Sequence, residues 1–368
     1  MVSSNKYARS VIKLIFRRGA LTRSEIMRAL KMRLNAIVEV CNELEEKGLI
    51  VREEAGRRRN CKLMLNPACF VFIGVEHHLA GADFVAVDAA GGKISSQRVE
   101  LPQAERLEHL LAATEKFVRK LDAESICALG VSDIGLVDPP HETGVYSAHL
   151  SGWKDVPLGK IFREHFPCDF FLIDRVDADC FAAHSRSGGR SHIYVNIIPD
   201  GIGMSIRDPH NFWQRHMPMA GQIGHLVAVP DGELCRCGNR GCLVTVAGVG
   251  AVLNRLEDLT GKRLSEAEAL AQAASGDRLC ETVLREAGEH MGLMLATVVG
   301  ILGISEITIR GALCAEGGAD FAGVRSALFK SVIYPMNRAL SLDSESCPVE
   351  NTALGAALFA RGEYVDRL

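Results

Sequence analysis

At 368 residues and 48% hydrophobic content the chain has material for two or three domains with sizeable cores. Its first apolar run, Val11–Phe16, is short and broken by Lys13, and no uninterrupted apolar stretch could cross a bilayer; the expectation is a cytoplasmic protein with reduced thiols, no signal peptide and no membrane partner. The net charge of −3 hides an asymmetry: residues 1–66 hold fifteen Lys and Arg against seven Asp and Glu, net +8, leaving −11 for the rest, a basic head for nucleic acid on an acidic body.

The head reads as three helices and a hairpin. Lys6–Arg18 places Val11, Ile12, Ile15 and Phe16 on one face, and Gly19 ends it. Thr22-x-x-Glu25 is a capping box opening a short basic helix over Arg23–Lys31. A further helix runs from Asn35 to Lys47 with Leu34, Ile37 or Val38, Cys41 and Leu44 inward, and Gly48 stops it. Strands follow at Leu49–Glu53 and Cys61–Leu65, around a turn containing Gly56. This order is a winged helix-turn-helix. Arg33, Asn35 and Ala36 begin the reading helix, where Asn pairs with adenine and Arg with guanine or phosphate. Arg57, Arg58 and Arg59 sit in the wing, placed to grip phosphates or a minor groove. The alternative is a basic helical domain that docks a protein; Glu39 within the reading helix and a turn without the usual Gly speak for it.

Beyond Cys69 strands alternate with helices: Phe70–Val75, Asp83–Val87, Ile126–Val131, Phe170–Ile173, Ile193–Ile198 and Ile307–Ile309, with a long apolar helix around Leu284–Val299. That alternation predicts α/β layers. Trp153–Leu158 reads as a loop leading into a helix.

Residues His225–Cys242, HLVAVPDGELCRCGNRGC, space one imidazole and three thiols as His-x9-Cys-x-Cys-x4-Cys. Thiolates close in sequence plus a His suit tetrahedral zinc, and four protein donors leave no open position, so the metal is structural, one per chain. Gly238 and Gly241 let the backbone return so that Cys242 faces Cys235 and Cys237. The alternative is three thiols and an unrelated His in a polar loop that offers little core.

Five segments together carry a family resemblance: GRRRNCKLMLNP, GLVDPPHETGVYSAHLSGWKDVPL, VDADCFAAHSRSG, DGIGMSI, and AGQIGHLVAV followed by CRCGNRGC. They resemble the ROK family of repressors, open reading frames and sugar kinases along essentially the whole chain. The resemblance implies an α/β protein: a winged helix-turn-helix over 1–66, then a two-lobed, actin-like (ribonuclease H-like) sugar-kinase fold. Its lobes would cover 67–180 and 181–368, with the C-terminal helix returning to the first. It also implies His225, Cys235, Cys237 and Cys242 as zinc ligands and Asp177 as the counterpart of the kinase base; the alternative for Asp177 is a helix cap.

Departures from the kinase pattern lie in the phosphate turns. Glu76-His77-His78-Leu79-Ala80 stands where kinases carry Asp and a Gly-Gly-Thr turn, and Asp200 stands at the Thr of the second turn. Bulky side chains and a carboxylate oppose triphosphate binding, so no enzyme activity is expected. His149, Val176, Gln222 and Val244 replace residues that bind sugar hydroxyls in the family. The effector site, built from His149, Asp177, Gln222 and His225, therefore takes a less polar ligand than glucose, holds a sugar differently, or stands empty. The expectation is a ROK-type transcriptional regulator, a repressor, acting on double-stranded operator DNA as a homodimer or homotetramer, with a sugar-like effector. The rivals are an active ATP-dependent sugar kinase with a basic appendage, and a scaffold that answers to a protein partner.

Overall fold

The computed structural model describes residues 6–53, 61–121, 126–133, 135–147, 150–186, 190–198, 201–208, 220–345 and 351–368. The chain divides into two compact units, residues 1–178 with 350–368, and residues 179–349.

The first unit opens with the head: α1 (Lys6–Arg18), β1 (Leu21–Thr22), α2 (Arg23–Leu30), α3 (Leu34–Glu46), β2 (Ile50–Arg52) and β3 (Lys62–Leu65). Val11, Ile12, Ile26, Ile37, Cys41 and Leu44 are buried, as the helical periodicity requires. Gly19 and Gly48 follow α1 and α3 at positive φ. The box at Thr22 is complete, and the Thr22 backbone N–H holds the Glu25 carboxyl below its ordinary range. Three features differ from the sequence reading. Leu34 is 52% exposed rather than inward, because α3 begins there, before its apolar face reaches the core. The two residues of β1 pair with β3 (Leu21↔Leu63, Thr22↔Lys62), making the hairpin a three-stranded sheet in order β1-β3-β2. Lys31 supplies the left-handed turn residue (φ 52) between α2 and α3 that Gly would have supplied more cheaply.

The rest of the unit is β4 (Val71–His78), β5 (Gly81–Val87), β6 (Lys93–Glu100), α4 (Arg106–Lys120), β7 (Ile126–Ser132), β8 (Leu136–Asp138), β9 (Thr143–Tyr146), β10 (Lys154–Val156), α5 (Leu158–His165), β11 (Asp169–Ile173) and α6 (Arg175–Arg186). A five-stranded sheet runs β11-β7-β4-β5-β6, and β8–β10 form a small separate sheet. The segment read as a loop from Trp153 thus contains a strand, β10, which becomes one only by pairing with β9. Helix α12 (Asn351–Arg367) lies on the large sheet. Glycines permit that closeness: a Cβ on Gly74 would come within 1.8 Å of the Ala353 carbonyl, and one on Gly130 within 2.1 Å of the Ala356 carbonyl.

The second unit contains β12 (His192–Ile198), β13 (Gly201–Arg207), α7 (Val244–Ala247), α8 (Val249–Thr260), α9 (Glu266–Ala274), α10 (Arg278–Leu302), β14 (Glu306–Arg310), α11 (Ala319–Ser331) and β15 (Ser341–Glu345). Its sheet, ordered β13-β12-β14-β15, turns Ile193, Val195, Ile197, Ile307 and Ile309 into a core shared with α10 and α11. The opposite face is polar, and there the Asp179 carboxylate accepts from Asn196 Nδ2 (2.8 Å) and pairs with Arg310 (2.6 Å).

Candidate functional site

The start of α3 exposes two of the residues predicted to meet DNA. Arg33 is the N-cap of α3 and Asn35 lies in its first turn, both exposed, followed by exposed Glu39. Arg23 is spent internally on Asn42 and Glu45. Arg57, Arg58 and Arg59 lie outside the described residues, between the paired strands β2 and β3.

In the second unit the four predicted donors converge. The ligand atoms of His225, Cys235, Cys237 and Cys242 all lie within 4.8 Å of one another, an arrangement that could hold a metal ion. His225 Nδ1 is 3.6 Å from Cys235 Sγ, and Cys237 Sγ is 3.6 Å from Cys242 Sγ. The loop is knotted by its backbone: the Gly241 carbonyl accepts from Ala228 and Val229, the Asn239 carbonyl from Cys235. Gly241 (φ 70) cannot be replaced, since a Cβ there would lie 1.6 Å from the Val229 carbonyl. A backbone hydrogen bond from Asn239 holds the Cys237 thiol below its ordinary value, whereas burial and then the neighbouring thiols push Cys242 up to about 12. His225 closes a short 3-10 turn, Ile223–His225, whose N-cap is the exposed Gln222. Val244, at the start of α7, is half-buried.

The remaining predicted residues belong to the first unit. Asp177 is buried in the first turn of α6. It is not the cap, because Asp174 Oδ1 accepts from the Val176 backbone N–H at 2.8 Å. Arg175 reaches the buried carboxylate of Glu76 at 3.2 Å. His149 and Asp200 lie outside the described residues.

The β4–β5 turn contains a polar network that the sequence did not announce. Arg106, at the start of α4, is buried and donates to the carbonyls of His78, Leu79, Gly81, Leu101 and Pro102. Its Nε–H donates to His77 Nε2 at 2.9 Å. That bond makes Nε2 the acceptor, so Nδ1 carries the proton and donates to Asp133 Oδ1 at 2.7 Å. The other Asp133 oxygen accepts from Trp153 Nε1 at 2.8 Å. Every guanidinium nitrogen is thereby engaged. In sequence Arg106 looks like any charged residue opening an amphipathic helix, and only the turn folded over it makes it a buried one.

Residues 72–363 match the ROK family. The chain belongs to the ROK family. Among its ROK relatives is the DNA-binding transcriptional repressor Mlc of Escherichia coli K12, 23% identical over 97% of this chain and 93% of Mlc. A crystal structure of a ROK-family transcriptional regulator, described as a homologue of the E. coli Mlc protein, has the same fold: TM-score 0.83 at 21% identity, over 97% of this chain and 96% of that one. The ROK hexokinase of Thermus thermophilus matches at TM-score 0.72 and 22% identity, over 81% of this chain and 100% of its own. The ROK fold of a sugar kinase is thus present, preceded here by a winged helix.

Proposed function

We propose that this ROK protein is a DNA-binding transcriptional repressor whose kinase-derived body senses a sugar-like effector instead of phosphorylating it. The observation that carries this is the basic winged helix fused to a ROK body, an organisation that aligns with Mlc from end to end. Arg33 and Asn35, exposed at the head of α3, read base edges, and Arg57, Arg58 and Arg59 hold the backbone. One head covers one half-site, so the protein works as a homodimer or homotetramer. Asn35→Ala should cost roughly 1–3 kcal/mol on the operator and little on random DNA. Changing Arg57, Arg58 and Arg59 together to Ala should weaken binding to all DNA and flatten its salt dependence by up to about three units of slope. Fluorescence anisotropy at several salt concentrations, with an operator obtained by genomic selection, measures both. An unchanged slope in the triple variant would place a protein rather than DNA against the wing.

The β4–β5 turn supports a body that does not transfer phosphate from ATP. A phosphate cradle offers backbone N–H groups, whereas the β4–β5 turn directs carbonyls to Arg106, whose donors have none left for an anion. In the sequence Asp200 stands where the kinase pattern has the Thr of the second turn, a carboxylate that would repel phosphate. A coupled assay with a panel of hexoses should show no turnover; a rate near ~1 s⁻¹ would restore the kinase reading. His149, Asp177, Gln222 and His225 are the effector contacts, with Val176 and Val244 reducing the polar complement.

The Cys3His cluster holds one structural zinc. Tetrahedral zinc with Zn–S about 2.3 Å and Zn–N about 2.0–2.1 Å spaces sulfur atoms about 3.8 Å apart and sulfur from nitrogen about 3.6 Å. The separations of 3.6 Å and 3.6 Å fit both edges. Bound there, the metal ties the turn bearing Gln222 and His225 to the start of α7.

A further inference from the structure

The head meets the large sheet without a flexible tether. Residues 66–70 alone separate β3 from β4, and they are bonded back to the head. Asn66 donates from its backbone to the Leu49 carbonyl (3.0 Å) and from Nδ2 to the Gly48 carbonyl (2.8 Å), and its Oδ1 accepts from Ala68 N (3.1 Å). Across the joint, the Phe16 ring packs edge-on against Phe70 (5.2 Å) and Phe72 (6.1 Å), and Phe72 against Tyr364 of α12 (5.5 Å).

Helix α12 closes the joint from the other side. Arg361 donates through Nε to the Ala89 carbonyl (2.6 Å) and through Nη2 to the Phe16 carbonyl (3.2 Å), with its guanidinium 5.3 Å from the centre of the Phe16 ring. The Phe16 carbonyl is one of the last four of α1, which have no partner inside their helix, and a cation is favoured at that end of the helix dipole. One turn on, Asp366 accepts from Arg17 (2.9 Å) through its side chain and from Lys13 (2.9 Å) through its carbonyl. Where α12 lies on the sheet it uses the small residues Ala353, Ala356 and Ala357, whereas Arg361 bonds to the joint and to the Ala89 turn.

We propose that Arg361 is a positioning residue for operator recognition: by gripping the last turn of α1 it holds the head in one orientation on the first unit and so sets the half-site separation that paired copies read. This rests on the DNA-binding reading above. A head on a loose tether tolerates many half-site separations, whereas a clamped head accepts few.

Arg361→Met keeps an apolar stem over Phe16 and removes the donors. Backbone ¹⁵N relaxation should show residues 6–52 of the parent tumbling with β4–β7, and those of R361M reorienting faster than the sheet. Changing the half-site separation by about five base pairs turns the second site to the far side of the duplex, since a turn is ~10–10.5 base pairs. The parent should then lose at least about tenfold in affinity and R361M less than about threefold. Both should bind a single half-site equally, and R361K should recover much of the parental preference. Should R361M fold poorly, the exposed Asp366→Ala loosens the same joint and should shift both readouts the same way, by less. A parental head that already moves independently, or an R361M spacing profile like the parent's, overturns the proposal. If no DNA binds either protein, the DNA-binding reading falls and with it operator positioning, while the relaxation data still decide whether Arg361 clamps the head.

Discussion

Stripping the metal with a strong chelator is expected to lower the melting temperature by about 5–10 °C and to speed amide exchange around residues 223–247. The loop's backbone bonds among Ala228, Val229, Cys235, Asn239 and Gly241 survive without metal, so the loss stays well below the ~10–16 kcal/mol of a module that folds only around zinc. Cys237→Ser separates the cause. Cys237 is the exposed member of the cluster, so its sulfur can be removed without opening a cavity, whereas Cys242 is wholly buried. C237S should melt close to the chelated parent and respond little to chelator. Metal analysis returning almost no zinc from protein never exposed to chelator, with C237S as stable as the parent, would refute a structural zinc.

Asp320→Asn should stabilise the protein at pH 8 by about 4 kcal/mol and leave it nearly unchanged at pH 4. Asp320 lies in the first turn of α11, buried against Gly288, where a Cβ would be 2.7 Å from its Oδ1. Burial pushes its carboxyl up to about 7 from an ordinary 3.8, and the Cys314 thiol's hydrogen bond offsets only part of that. The folded value is the higher one, so between about pH 4 and 7 the native chain keeps a proton that the unfolded chain has released. Stability therefore falls as pH rises through that window, by about 1.4 kcal/mol per unit, and levels off above it. Asn cannot ionise, so urea unfolding of D320N should lack this slope. Parallel pH profiles for the two proteins would show that Asp320 ionises in the native state at no cost.

Several features were legible because their causes are local. The capping box at Thr22 and Glu25, the helical face of Val11, Ile12 and Ile15, and the glycines ending α1 and α3 each depend on residues within a turn or two of one another. The convergence of His225, Cys235, Cys237 and Cys242 was readable for the same reason: three of the four fall within eight residues, so a tight loop must bring them together whatever surrounds it. The charge split between head and body is a property of composition alone and needs no geometry.

Contacts across long separations decided the rest. Strand β1 exists only because Leu21 meets Leu63, and β10 only because it meets β9; two or three residues carry no periodicity of their own. Leu34 has the character of a core residue, yet the start of α3 leaves it in solvent. Arg106 and Arg361 are ordinary surface residues by sequence. One is buried because the β4–β5 turn folds its carbonyls over it, and the other is committed because α12 crosses beneath a helix some 345 positions away in the chain. The donors and acceptors were written in the residues; which of them met was settled by the closing of the sheet beneath α12, since a hydrogen bond forms only where packing has already brought its partners within reach.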